Sequence, residues 1–162
     1  MARTDGGRYT HHHDGELVVF LIGMTVNRWW RVDQWLPTML AMGPMLRELS
    51  RDPDSGLRGY RLALEGPRPV VVQYWDSVDK LYAYASDRTA THRPAWAAFN
   101  QRARSAPGVV GVWHETFLVD RAESVYVGTP LAGLAKATVR VPVTGRKDAA
   151  RQRLEATSTE ER

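Results

Sequence analysis

The sequence predicts an α+β fold: a ferredoxin-like βαββαβ unit with an antiparallel sheet. Residues 17–26 are a continuous apolar run of strand length, rich in β-branched side chains, which is typical of a central strand covered on both faces. Over residues 32–49, apolar positions recur at steps of three and four, which indicates one face of a helix. Residues 57–64 then alternate, and a turn at Gly66-Pro67 leads into residues 70–75, so this part predicts a hairpin.

The second half of the chain supplies the rest of the unit. Residues 78–85 have the spacing of a short helix, and Pro94 suits the first turn of another over residues 95–104. Residues 109–119 then read as a strand. Right-handed crossovers would place the helices on one face of the sheet. Within the first helix, Gly43-Pro44 is expected to cause a kink or a break.

Polar segments flank the predicted domain, which we place at residues 17–143. Residues 1–16 are rich in Gly and His, and we interpret them as a flexible arm. Residues 144–162 are strongly charged, and we expect a disordered tail or a frayed helix there. His11-His12-His13 resembles a metal-binding tract, but a mobile arm offers no fixed ligand geometry, so we interpret it as incidental or tag-like.

Composition excludes several classes of function. The chain of 162 residues has no cysteine, which excludes disulfides, Cys-ligated zinc and thiol catalysis and favours a cytoplasmic protein. Its net charge of +4 comes from arginines that alternate with acids along the chain, so we predict no nucleic-acid partner. No apolar run is long enough to cross a bilayer, and we predict no membrane partner. Phosphate-binding loops, paired carboxylates and nucleophile elbows are also missing.

The apolar run at residues 17–26 also predicts a homodimer. With both helices on one face, the other face of the sheet would be open to water, yet this strand has no polar side to present. Pairing two sheets face to face in a dimer would bury that surface.

His92 and His114 are the two histidines within the predicted domain, and each has a structural alternative to a functional role. His92 stands at the beginning of a predicted helix, whose positive end disfavours imidazolium and leaves a lone pair available for a ligand. It could equally be a half-exposed cap of that helix. His114 lies in a strand, on the face opposite Trp113 and Glu115. It could act as a general acid or base in an interior cavity, or be a hydrogen-bonded core residue.

Asn27 and Arg28 follow the first predicted strand. An amide and a guanidinium at this position could hold a carboxylate, a heme propionate or an oxyanion, and we take Asn27 as a candidate catalytic residue. The alternative is a solvated loop fixed by the neighbouring aromatic residues Trp29 and Trp30.

Five short segments resemble a known family: Val18-Val-Phe-Leu-Ile-Gly-Met24, Val26-Asn-Arg-Trp29, Val72-Gln-Tyr-Trp75, His92-Arg-Pro-Ala-Trp96 with Phe99-Asn100, and Val112-Trp-His-Glu-Thr116. The chain resembles bacterial monooxygenase-like proteins related to the fumagillin-pathway monooxygenase, within the antibiotic-biosynthesis monooxygenase superfamily. The resemblance covers roughly residues 7–142. It implies a dimeric α+β barrel and oxidation of a small molecule. Gly128 stands where the family usually has an asparagine, so a role of that asparagine is not carried over.

A second resemblance bears on the chemistry. Heme-dependent aldoxime dehydratases have a similar succession of residues, which here reads Trp75, Tyr84-Ala-Ser86, His92 with Ala98-Phe99, and Trp113-His114-Glu115. In those enzymes the first histidine is the proximal iron ligand and the second a distal acid–base group. The resemblance therefore implies heme b, with iron bound by His92 and proton transfer by His114.

With heme present, other nearby residues acquire roles. Arg93 and Arg28 are candidates to pair with the propionates, and Trp96 with Phe99 would form an apolar wall beside the porphyrin. Three functions follow from the resemblances. The first is a monooxygenase of secondary metabolism, heme-dependent or cofactor-free, acting on a hydrophobic substrate; the others are a heme lyase of the aldoxime dehydratase kind and a non-catalytic binder of heme or an apolar ligand.

Overall fold

The strands of the protein form two antiparallel sheets. A computed structural model describes residues 7–87, 89–90, 92–145 and 148–156. In chain order the elements are β1 (Arg8–His12), β2 (Val18–Val26), α1 (Val32–Arg51), β3 (Leu57–Glu65), β4 (Arg68–Trp75), α2 (Val78–Ser86), α3 (His92–Ser105), β5 (Val110–Leu118), β6 (Tyr126–Val127), α4 (Gly133–Ala137), β7 (Val139–Pro142) and α5 (Ala150–Ala156). The sheet orders are β3-β4-β2-β5 and β6-β1-β7.

The four-stranded sheet confirms the predicted α+β, ferredoxin-like unit. β2 is a central strand, paired antiparallel to β4 on one side and to β5 on the other. Its apolar sequence fits this position, because a central strand of a covered sheet has little contact with water. The register places Ile22 opposite both Val71 of β4 and His114 of β5.

The helices α1, α2 and α3 lie on one face of this sheet, as the crossover rule predicts. Val18, Leu49, Trp75 and Leu81 form a buried cluster that joins β2, α1, β4 and α2. The first helix is continuous over 20 residues, so Gly43-Pro44 does not split it in two, and a kink there stays a prediction. Leu46 and Leu49, both buried, hold the part of α1 that follows Pro44 against the sheet.

The second sheet departs from the prediction of a flexible N-terminal arm. β1 is its central strand, and Tyr9 is only 2% exposed. The Tyr9 ring stacks on Tyr126 at 5.1 Å, and its hydroxyl lies 3.0 Å and 3.1 Å from the backbone oxygens of Thr129 and Pro130. The polar composition of residues 8–12 did not predict a strand. The strand is stabilised by the contacts of one tyrosine with residues far away in the chain, which composition does not reveal. Residues 1–6 of the predicted arm lie outside the described residues.

Part of the predicted C-terminal tail is also ordered. Residues 150–156 form the short helix α5, in which the guanidinium of Arg153 is buried and pairs with Glu123 at 2.6 Å. Residues 157–162 lie outside the described residues. The boundaries of an independent domain at 17–143 stay a prediction.

A short helix from the second half of the chain covers part of the other face of the main sheet. Ala137 of α4 packs with Val70, Val72 and Tyr74 of β4 in a second buried cluster. Gly59 of β3 allows this approach, since a Cβ there would lie 3.3 Å from the Ala137 side chain. Part of the sheet face that was predicted to be buried by a second subunit is therefore covered by α4 of the same chain. None of the helices in the described ranges is long and apolar enough to cross a membrane.

The burial of β1 predicts that acid destabilises the fold through His11. Burial, reinforced by the neighbouring His13, lowers the pKa of His11 from its usual 6.5 to about 4. Between these values the unfolded chain binds a proton at His11 that the folded chain does not. The contribution to stability is therefore complete above pH 6.5 and is lost as the pH falls towards 4. Urea unfolding of the wild type at pH values from 7.5 to 4.5 should show this decline.

The variant His11→Gln isolates the effect. It removes the titrating group, so its free energy of unfolding should depend less on pH across this interval than that of the wild type. An identical decline in both proteins would show that other groups are responsible.

Candidate functional site

A cavity of about 730 Å³ lies between the four-stranded sheet and the helices. This volume is within the usual range for small-molecule sites, roughly 300–1,000 Å³. The sheet contributes Phe20, Ile22, Met24, Tyr60, Leu62, Val71, Val112, His114 and Thr116, and the helices contribute Thr38, Met39, Met42, Met45, Leu46, Leu81, Tyr82, Ala85, His92, Arg93, Ala95, Trp96 and Phe99. The lining is therefore mostly apolar, with a few polar groups at separate places.

The periodicity of each element explains this lining. Phe20, Ile22 and Met24 alternate along β2 and point to the same face of the sheet. On α1, Met39 and Met42 lie one turn apart and contribute flexible, polarisable side chains that adapt to ligands of different shape. Their spacing in the sequence indicates only the apolar face of a helix, a pattern that core residues share, so these methionines could not be recognised from sequence as part of a site.

His92 is the first residue of α3, at the beginning of a helix as the sequence predicts, and it lines the cavity. Its Nε2 lies 3.0 Å from the backbone oxygen of Ala85. Because a carbonyl oxygen only accepts, Nε2 carries the proton and the lone pair of a neutral ring lies on Nδ1. Nδ1 is buried and has no hydrogen-bond partner among the described residues. A buried acceptor without a partner is costly, and a ligand in the cavity could satisfy it.

The ring of Tyr84 packs against the His92 ring and limits its orientation. The two ring centroids are 4.8 Å apart, and the Tyr84 hydroxyl lies 3.2 Å from a carboxylate oxygen of Glu48 on α1. Trp75 also contacts Tyr84, with ring centroids 6.2 Å apart. The imidazole is thus supported by α1, α2 and β4 together.

His114 also lines the cavity, but it is exposed to solvent and is not a core residue. It belongs to the edge strand β5, and its ring lies 5.6 Å from that of Phe20. Trp113 points to the opposite face, where its indole lies over the backbone of Gly23. His114 therefore has contact with both the cavity and water, which suits a group that exchanges protons.

The remaining predicted site residues divide into two groups. Arg93, Trp96 and Phe99 line the cavity, and the Trp96 and Phe99 rings stack at 5.3 Å. Asn27 and Arg28 are not among the residues that line it. Asn27 instead joins β2 to the loop before β5, with its side-chain amide donating to the backbone oxygen of Gly108 at 3.1 Å.

Of the three consecutive histidines, His11 and His12 belong to β1 of the second sheet and His13 directly follows it, and none of them lines the cavity. His11 is buried, with Nδ1 2.7 Å from the Ser124 hydroxyl, and its ring stacks on that of His13. Within the described part of the chain, no group of three or more histidine, aspartate or glutamate side chains is arranged to hold a metal ion. The stacking shows that these histidines contribute to a packed sheet.

Comparison with solved structures supports the fold. An aldoxime dehydratase solved with butyraldoxime is 20% identical with a TM-score of 0.57; the match covers 83% of this chain but only 41% of that one. A cofactor-independent oxygenase from Streptomyces nogalater is 14% identical, with 67% and 97% of the two chains covered and a TM-score of 0.42. A heme-degrading protein from Mycobacterium tuberculosis, solved with two hemes in its active site, is 24% identical, with 64% and 95% covered and a TM-score of 0.36.

The three structures differ in how closely they superpose on this chain. At 20% identity the aldoxime dehydratase shows a shared fold, and the present chain spans about two fifths of its length. The other two structures, with TM-scores of 0.42 and 0.36, superpose on this chain only loosely. No curated protein matches the sequence.

The family assignment rests on the sequence itself. The sequence model of the family described as monooxygenase af470-like matches residues 17–134, which include β2 to β6, the cavity and both of its histidines. The chain therefore belongs to the monooxygenase af470-like family and is a monooxygenase-like oxidoreductase.

Proposed function

We propose that the protein oxidises a hydrophobic small molecule bound in the cavity between the sheet and the helices. The observation that carries this proposal is the lining: about 730 Å³ of mostly apolar space, with a histidine from α3 and another from β5. An apolar cavity with a few placed polar groups is the usual form of a small-molecule site. Family membership supplies the reaction class. A cytoplasmic location and a role in secondary metabolism belong to the same proposal.

His92 is the residue that would hold the iron of heme b if the group binds in this cavity. Iron needs a neutral imidazole nitrogen. Nδ1 of His92 is buried with no hydrogen-bond partner in the described part of the chain, while Nε2 is held by the Ala85 oxygen. A hydrogen bond from the second ring nitrogen is the usual way to orient a metal-binding histidine. Bound heme would supply the redox chemistry at this site. The chain's own contribution is to bind and orient the group and to exclude water.

The other lining residues fit the same arrangement. Trp96 and Phe99 would pack against the porphyrin, and Arg93 would pair with a propionate. Arg28 and Asn27 are left out of this proposed site because the structure does not bring them to the cavity. His114 is the proposed general acid–base group, since its ring borders the cavity and can exchange protons with solvent.

Substitution of His92 and of His114 should have different effects, the first on heme binding and the second on turnover. In protein supplied with heme, His92→Ala should abolish the Soret band, or shift it to a form that free imidazole restores. His114→Ala should retain the Soret band but lower turnover by about a hundredfold or more, the usual contribution of an acid–base group. Far-ultraviolet circular dichroism of both variants should match the wild type.

Other outcomes would point elsewhere. If wild-type protein binds no heme when the cofactor is in excess, the role of His92 is wrong and a cofactor-free oxygenase becomes the better explanation. Turnover of an aldoxime under reducing, oxygen-free conditions would instead support a heme lyase. Ligand binding without turnover of any kind would support a non-catalytic binding protein.

We also propose that the chain forms a homodimer through the face of the four-stranded sheet opposite α1, α2 and α3, where α4 does not cover it. α4 covers this face over β4, whereas Phe117 of β5 remains 49% exposed and Val19, Leu21 and Trp113 are only partly buried. Apolar side chains exposed together on the surface of a folded domain are typical of an interaction surface. Sedimentation at micromolar concentration should give about twice the chain mass of 18.3 kDa. Phe117→Glu should shift the protein towards a monomer, and a monomeric wild type would contradict the proposal.

A further inference from the structure

We propose that Arg102 forms a carboxylate-binding site at one end of the cavity, so that the preferred ligand is an amphipathic organic acid. This inference rests on the proposed function in that it takes the cavity as the ligand site. It adds the chemical class of the ligand and a residue that recognises it.

Arg102 continues the face of α3 that borders the cavity. His92, Ala95 and Phe99 line the cavity and follow one another at steps of three and four residues. Arg102 comes three residues after Phe99 and therefore lies on the same face, one turn closer to the end of the helix. Its Nη2 donates to the hydroxyl oxygen of Thr38 at 3.3 Å, and Thr38 itself lines the cavity from α1. Arg102 is not itself among the lining residues, but its guanidinium contacts one of them, Thr38, and so lies beside the lining between α1 and α3.

The surroundings of Arg102 leave its charge uncompensated. The side chain is half-buried, and its Nε is buried without a hydrogen-bond partner among the described residues. Within those same residues, no carboxylate lies at ion-pair distance from this guanidinium. Arginine stays charged at any ordinary pH, so removing it from water without a counterion is costly. A bound anion would offset that cost.

The shape of the guanidinium identifies the anion. A planar fork of N–H donors matches the two oxygens of a carboxylate. Because the adjoining lining is apolar, the rest of the ligand should be a hydrocarbon body that extends towards Phe99 and the α1 methionines. A substrate carboxylate and a heme propionate share this chemistry.

The test compares two ligands that differ only in their polar end. Dodecanoate and dodecanol are titrated at pH 8 into wild-type protein, and binding is followed by tryptophan fluorescence, since Trp96 borders the cavity. The wild type should prefer dodecanoate by about tenfold or more, the scale of one charge-assisted hydrogen-bonded pair. In Arg102→Gln this preference should disappear while the affinity for dodecanol stays unchanged.

Matched variants identify the residue responsible. Arg104→Gln removes the same charge from an exposed position on the same helix and should keep the preference. Thermal unfolding of both variants checks that each is folded. Equal wild-type affinity for the two ligands would overturn the inference and leave the cavity as a binding site. A preference lost in Arg93→Gln but retained in Arg102→Gln would overturn it in favour of Arg93. Failure of both ligands to bind would overturn the inference and the cavity site together.

A second pair of ligands distinguishes the two sources of carboxylate. If hemin binds more tightly than its dimethyl ester and Arg102→Gln removes the difference, the group recognised is a propionate. If the variant affects only the dodecanoate preference, the group belongs to the substrate.

Discussion

The pairing of β2 with both β4 and β5 is the constraint on which the site depends. Because side chains alternate along a strand, the register Val71–Ile22–His114 fixes which residues of three strands share the helix-bearing face. A shift of one residue would move the apolar lining to the other face and His114 away from the cavity. The buried cluster around Trp75 holds α1 and α2 on that face and so sets one boundary of the space beneath them.

Much of this arrangement could be predicted from sequence because it depends on local period. An apolar run of nine or ten residues, a helical repeat after it and an alternating hairpin are visible without tertiary information. The order of elements then limits the topology, since crossovers are right-handed. Whether Gly43-Pro44 divides α1 could not be decided from the local glycine and proline signal, because Leu46 and Leu49, which follow it in the same helix, are buried by tertiary packing.

The parts that escaped prediction depend on contacts between distant residues. β1 has a polar composition, yet Tyr9 joins it to residues about 120 positions away in the chain. His92 and His114 could be recognised as candidates by residue type. Arg102, the residue of the proposed carboxylate site, could not, because its candidacy depends on Thr38 of another helix and on the lack of a carboxylate partner among the described residues. Asn27 had the right chemistry for a site, but its amide is used to hold the β5 loop.

The central claim is that the cavity between sheet and helices is where the ligand binds. The most direct measurement is the affinity for dodecanol of two variants of α3. Ala95 lines the cavity and Ala97 is exposed on the same helix. Ala95→Phe should weaken binding strongly because it fills the space, and Ala97→Phe should bind like the wild type. Unchanged affinity in a folded Ala95→Phe variant would show that the ligand binds elsewhere.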